Sequence, residues 1–197
     1  MSTDPAFVRF HTWLRTVQRF DDADCELFRP YLRKRTLAAH AHLVQAGGIC
    51  REIAFVHSGV LRMYYLADGK EINTAFFLPD EFAVEYGSFL HGTPSNYTIE
   101  TLSDCELVTF GYDTLAMAYD RSHRWERFGR LMAEQAYTQA MARIGSFLFM
   151  DAMQRYKDLL KNRPQVLEHV PLYHVASYLG LERETLSRLR NRIARGE

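Results

Sequence analysis

The sequence predicts an α+β protein in three parts, and three stretches carry that prediction. Between about Leu37 and Phe110, short β-rich runs alternate with turn signals. From about Asp113 to Phe149 runs a helical stretch too long for an ordinary domain helix. From Leu172 to Ile193 the chain reads as a short helix, a glycine and a basic second helix. The expected domains are residues 1–112, a β-rich unit preceded by helices; 113–150, a long connecting helix; and 151–197, a helix-turn-helix unit.

In chain order, residues 5–20 place Phe7, Phe10, Leu14 and Val17 at helical spacing. Asp21 or Asp22 can cap a second helix that runs to about Tyr31. Strands are expected at Ile53–His57, Val60–Leu66, Glu71–Leu78, Asn96–Thr101 and Glu106–Gly111. Asp68-Gly69 sits between two of them and is a hairpin signal, because such turns need positive φ. Many short strands of this kind make a sandwich or small barrel. The acid pair Asp80-Glu81 is expected to be solvated charge in a turn.

The helical stretch after Asp113 is expected to break near Ser122-His123. It carries Trp125, Phe128, Leu131/Met132, Gln135, Thr138/Gln139 and Ala142 on one stripe. Such a stripe faces either the protein's own core or a second copy of the chain. A further helix, Ala152–Lys161, leads through Asn162-Arg163-Pro164 into the last unit.

There, Pro171 can open a helix, since its missing N–H is not needed at the first helical position. Val175, Ala176 and Leu179 form its apolar face. Gly180 closes it, as glycine reaches the left-handed region without a Cβ clash. Leu181, Leu186, Leu189 and Ile193 continue the buried face. The other side of the second helix carries Arg183, Glu184, Ser187, Arg188, Arg190 and Arg192. A generic two-helix corner needs the leucines and the glycine, but not this arginine face. The pattern predicts binding of double-stranded DNA, with the second helix in the major groove.

Composition agrees. The 197 residues are 47% hydrophobic and 24% charged, with a formal net charge of zero. That zero hides an asymmetry: residues 155–197 hold nine Lys/Arg against five Asp/Glu, and the remainder is acidic. No apolar run approaches the roughly 20 residues that span a bilayer, and no signal peptide is evident at the N-terminus. A cytoplasmic protein with no membrane partner is expected. Cys25, Cys50 and Cys105 are scattered, as free structural thiols would be.

The order of β-barrel, long helix and helix-turn-helix resembles the Crp/Fnr family of bacterial transcription regulators over nearly the whole chain. Arg183-Glu-Thr-Leu-Ser-Arg188 is similar to the signature that opens that family's recognition helix. The resemblance implies a β-roll or jelly-roll sensor domain, a dimerisation helix, a homodimer, and RNA polymerase as a further partner. Carried over by position, Arg183, Glu184 and Arg188 would face bases. Arginine can bond guanine bidentately, and glutamate can accept from cytosine N4. Thr185, Ser187 and Arg190 would meet phosphates, which position without specifying.

The barrel resembles a cyclic-nucleotide-binding domain, with Phe77-Leu-Pro-Asp-Glu-Phe82 and Glu85 standing where that domain has its turn and its ribose-binding Glu. Ser95 and Asn96 stand where it has the Arg-Ser pair that neutralises the cyclic phosphate. Neither supplies a cation. Glu85, Ser95 and Asn96 are therefore candidates for a degenerate effector pocket that does not use cyclic AMP and takes an unknown small molecule or none. A lone N-terminal Cys25 does not make the family's iron–sulfur site, so no cofactor is expected. Glu182 stands at the cap of the second helix. The chain ends at Glu197, so the family's β-wing is expected to be missing.

The alternative reading is a cupin-like β-barrel, binding a small molecule or a metal, with the helical tail as an interaction module. His40-Ala-His42 resembles the HxH of that class. No Glu or Asp follows in residues 43–48, and His57 and His91 have no motif around them. Neither a catalytic nor a metal site is expected, and no enzyme.

Overall fold

In the computed structural model, two four-stranded antiparallel sheets face one another, with helices at both ends of the chain packed on them. The structure describes residues 4–195. The extreme ends of the expected domains, residues 1–3 and 196–197, lie outside them, as does the chain end where the β-wing is expected to be missing.

Asp4 caps helix α1 (Pro5–Val17), its carboxylate accepting from the Ala6 N–H at 2.9 Å. Asp21 caps α2 (Asp22–Phe28) in a reciprocal box with Asp24, and a 3₁₀ turn then continues to Tyr31. One sheet has the order β1 (Arg33–Leu37), β8 (Cys105–Gly111), β3 (Glu52–Ser58), β6 (Phe82–Ala83). The other has the order β2 (His42–Val44), β7 (Thr98–Thr101), β4 (Leu61–Ala67), β5 (Lys70–Phe77). Asp68 and Gly69 join β4 to β5 with φ of 50° and 77°, the expected hairpin turn. Helix α3 (Tyr86–His91) crosses between β6 and β7.

Helices α4 (Tyr112–Arg121) and α5 (His123–Phe149) are separated at Ser122, as expected. The helical units α6 (Ala152–Asn162), α7 (Pro164–His169), α8 (Leu172–Tyr178) and α9 (Arg183–Ala194) follow. The short strands β1, β2 and β6 and the short helices α3 and α7 were not expected: β1, Arg33-Lys-Arg-Thr-Leu37, carries almost no apolar residues, and the others are too short to show a period. Pro171 lies one residue earlier than expected, at the N-cap of α8; Pro164 holds the opening position of α7.

Two cores result. The larger lies between the sheets and under α1, α2 and the start of α5; the smaller joins α6–α9 to Val60, Phe76 and Leu78. The stripe on α5 therefore divides. Trp125 and Phe128 are buried in the chain's own core, and Met132 packs against it. Of the two readings of the stripe, the protein's own core is therefore the one that holds for this half. Asp80 and Glu81 are also not free solvated charges. Asp80 takes two bonds from Arg9, and Glu81 takes the Arg163 guanidinium at 2.7 Å, tying the turn to the first and last parts of the chain.

Candidate nucleic-acid interface and effector pocket

Helix α8 ends in a Schellman arrangement. The Leu181 N–H donates to Ala176 O and the Gly180 N–H to Ser177 O, with Gly180 at φ 68°. A Cβ at Gly180 would also lie 2.8 Å from Phe147 Cε1 of α5, so the turn needs glycine for two reasons. The turn sets α9 against α8, and Leu186 of α9 is fully buried beside Val175, Ala176 and Leu179. Leu181, Leu189 and Ile193 are half-buried at the edge of the same face.

The opposite side of α9 is open. Arg183, Glu184, Ser187, Arg188 and Arg190 are exposed, and Thr185 is half-buried beside them. Arg183, Glu184, Ser187 and Arg188 line one shallow surface concavity. The structure thus brings the six expected residues together on the first two turns of one helix. Glu182 is its N-cap residue but makes no capping bond; its carboxylate meets Lys70 of β5 at 3.4 Å.

This unit does not hang free on its linker. On β4, Leu61 and Met63 turn into the inter-sheet core, so Arg62 and Tyr64 lie on the outer face, toward α8. Arg62 is 4% exposed and sits over the Tyr64 ring at 4.0 Å. It donates to Glu100 Oε2 of β7 at 2.6 Å, to Glu71 Oε2 of β5 at 2.5 Å, and to His174 Nδ1 of α8 at 3.2 Å. Ser177 of α8 bridges Asn73 N and Glu71 O, at 3.0 and 2.7 Å. Arg143 of α5 donates to Asn73 O and Tyr178 O, and its guanidinium lies 3.9 Å from the Tyr178 ring centre.

Two of the three expected effector residues, Glu85 and Ser95, are engaged within the chain. Glu85 is the N-cap of α3, its two oxygens accepting from the Gly87 and Ser88 N–H groups at 3.1 and 2.8 Å. Ser95 is buried, and its hydroxyl donates to Tyr97 O and accepts from Tyr97 N. Asn96 is exposed. Arg62 cannot stand in for the absent arginine, because it faces α8 rather than the core between the sheets. His40 pairs with Glu100 and His42 with Gln45. Among the described residues, no three His, Cys, Asp or Glu side chains come together as a metal site. The three cysteines are free and buried.

Residues 34–122 match the family model of the cyclic nucleotide-binding domain. Three solved structures extend the likeness across the helices. FixK2 from Bradyrhizobium japonicum superposes with a TM-score of 0.73 at 18% identity, over 84% of this chain and 85% of that one. A chain from Eubacterium rectale assigned to the Crp/Fnr family of transcriptional regulators gives 0.67 at 18% identity, over 90% and 85%. The chain has the Crp/Fnr-type regulator fold. The catabolite activator protein of Thermus thermophilus superposes at 0.58 and 18% identity, over 93% of this chain and 87% of that one. No curated protein sequence matches.

Within this Crp/Fnr-type fold, the exposed face of α9 could be singled out from the sequence because its residues lie within one helix. The Arg62 cluster was missed. Its partners stand 9, 38 and 112 residues away, and only strand pairing and helix docking bring them together. A signal was present: an arginine between apolar neighbours in a half-buried strand calls for a buried partner.

Proposed function

We propose that the protein is a homodimeric transcription regulator that binds double-stranded DNA through α9, and whose β-roll does not take cyclic AMP as effector. The observation that carries this reading is the open face of α9, with Arg183, Glu184, Ser187 and Arg188 exposed while Leu186 is locked into the core behind them. A helix held so firmly at its back, with a basic face toward solvent, is suited to the major groove. RNA polymerase is a further proposed partner, on family likeness alone. No helix among the described residues is long and apolar enough to cross a membrane.

DNA affinity is expected to fall steeply with salt, because each neutralised phosphate releases counterions. Arg183→Ala and Arg188→Ala should each cost about 1–3 kcal/mol on the preferred site and relax its specificity. Fluorescence anisotropy against a genomic fragment pool measures both. Equal, weak binding of every fragment by wild type and variants would reject the proposal.

The effector half of the reading has its own test. A cyclic phosphate at Ser95-Asn96 meets no cation there, and Glu85 spends its carboxylate on the α3 N-terminus. Burying an unpaired anion costs more than ring contacts return. Titration calorimetry with cyclic AMP and cyclic GMP should therefore give no heat of binding at micromolar concentration. Micromolar binding of either, lost in Glu85→Ala, would overturn this half.

A further inference from the structure

The contact between α8 and the outer face of the β2–β7–β4–β5 sheet is built differently from the rest of the molecule. Its centre is polar and buried: Arg62 and His174 are each 4% exposed, Asn73 is 1% exposed and Glu100 8%. Two domains that need only to be tethered could meet through exposed charges or apolar side chains. Here a guanidinium, the Glu100 carboxylate, an imidazole and an amide are drawn out of water together, with Glu71 closing the cluster from its solvent side, and the desolvation cost of such a cluster offsets much of its attraction. One buried acceptor, Asn73 Oδ1, has no donor in this arrangement. Apolar contacts of Val60, Phe76 and Leu78 flank this cluster, and the cluster itself is the part of the interface that is sensitive to a change in charge.

We propose that this contact is an acid-released latch, in which neutral His174 accepts from Arg62 to hold the helix-turn-helix unit on the β-roll, and protonation of His174 lets the unit swing free. The geometry fixes the sign. His174 Nδ1 faces an N–H of Arg62, so it must be the acceptor, and the imidazole proton sits on Nε2. A second proton on Nδ1 would break that bond and set two cations 3.2 Å apart. The groups facing His174 come from four elements. Arg62 on β4 and His40 before β2 oppose the added charge, and Glu71 on β5 and Glu100 on β7 favour it; Asn73 and the Tyr173 ring are neutral. Glu71 and Glu100 already bond to Arg62. Burial first, and then Arg62, dominate and push the His174 pKa down to about 4.

The docked state therefore binds His174 in its neutral form, and the undocked state lets it titrate near its ordinary value. Docking is complete above that value and is lost progressively as pH falls through the window between it and about 4. The docking equilibrium should be about 20-fold weaker at pH 5 than at pH 7.

Hydrogen exchange of the full chain, corrected for the intrinsic effect of pH, reads this without DNA, so it tests the latch separately from the DNA-binding proposal. Between pH 7 and pH 5, α8 and β5 should lose protection by about that factor, while β3 and β8 in the other sheet keep theirs. His174→Gln, whose amide oxygen can accept from Arg62 but does not titrate, should keep α8 protected at pH 5. Unchanged protection of wild-type α8, or equal loss in wild type and His174→Gln, overturns the latch. If His174→Gln does not fold, Ser177→Ala serves in its place. It removes the bonds to Asn73 N and Glu71 O and should open α8 and β5 already at pH 7, and no change there would also overturn it.

Discussion

Trp125→Ala is expected to destabilise the protein by about 3–5 kcal/mol, a large share of the roughly 5–15 kcal/mol that typically holds a domain folded. Trp125 is fully buried at the first turn of α5. Its ring stacks on Phe28 at 4.1 Å, lies 4.6 Å from Phe20 and meets Phe128 edge-on, so it fills the space where α2, α5 and the β-roll converge. Its Nε1–H donates to Asp24 O at 3.0 Å. Around this anchor, Arg124 pairs with Asp21 and Asp24, and Ser122 donates to Asp24 Oδ1 at 2.7 Å. Truncation leaves a cavity that three rigid aromatic rings cannot close, and an acceptor without its donor. Trp125→Phe, which keeps most of the ring and loses only the hydrogen bond, should cost markedly less. Urea unfolding midpoints give both numbers; a loss below about 1 kcal/mol for alanine would mean that α5 is not anchored here.

The same residue shows where sequence reading runs out. Its helical stripe was legible, and so was the break at Ser122, but periodicity states only that a face is covered. It does not state by what. Trp125 and Phe128 are covered by Phe20, Phe28 and Trp13, from a segment about a hundred residues earlier. Local demands fared better. The left-handed residue after α8 and the two-residue hairpin at Asp68-Gly69 are backbone requirements, which only a few residue types meet, so the letters reveal them. Asp80-Glu81 is the opposite case. A polar pair in a turn is read as solvated unless its distant arginines, Arg9 and Arg163, are known. The candidate interface was legible because α9 contains all of it. The engagement of Glu85 as a helix cap was not, since that follows from the short α3 helix, which has no sequence period of its own.

Ile144→Glu is expected to convert a dimer into a folded monomer. Beyond Met132, α5 leaves the core, and Tyr137, Met141, Ile144 and Leu148 stand exposed at spacings of four, three and four, Tyr137 and Leu148 at 68% and 69%. That is the spacing of a two-helix coiled-coil seam, and it is where the proposed homodimer would pair. The neighbouring face of the same helix is already occupied, by Arg143 against Asn73 and Tyr178 and by Phe147 against Gly180, so this stripe is the face left for the second copy that we propose. Leu131, also on the stripe, is already half-buried in the single chain, so a charge at the more exposed Ile144 is the cleaner test of association. A glutamate at position 144 would be buried unpaired on both copies, at a cost of several kcal/mol. Sedimentation velocity should show wild-type dimer and Ile144→Glu monomer, with unchanged circular dichroism. Under the DNA-binding proposal, the monomer should also lose about 10²–10⁴-fold in affinity for a two-half-site operator, because the second recognition helix is no longer held near its half-site. A monomeric wild type at micromolar concentration, or a variant that remains dimeric, would show that α5 is not the seam.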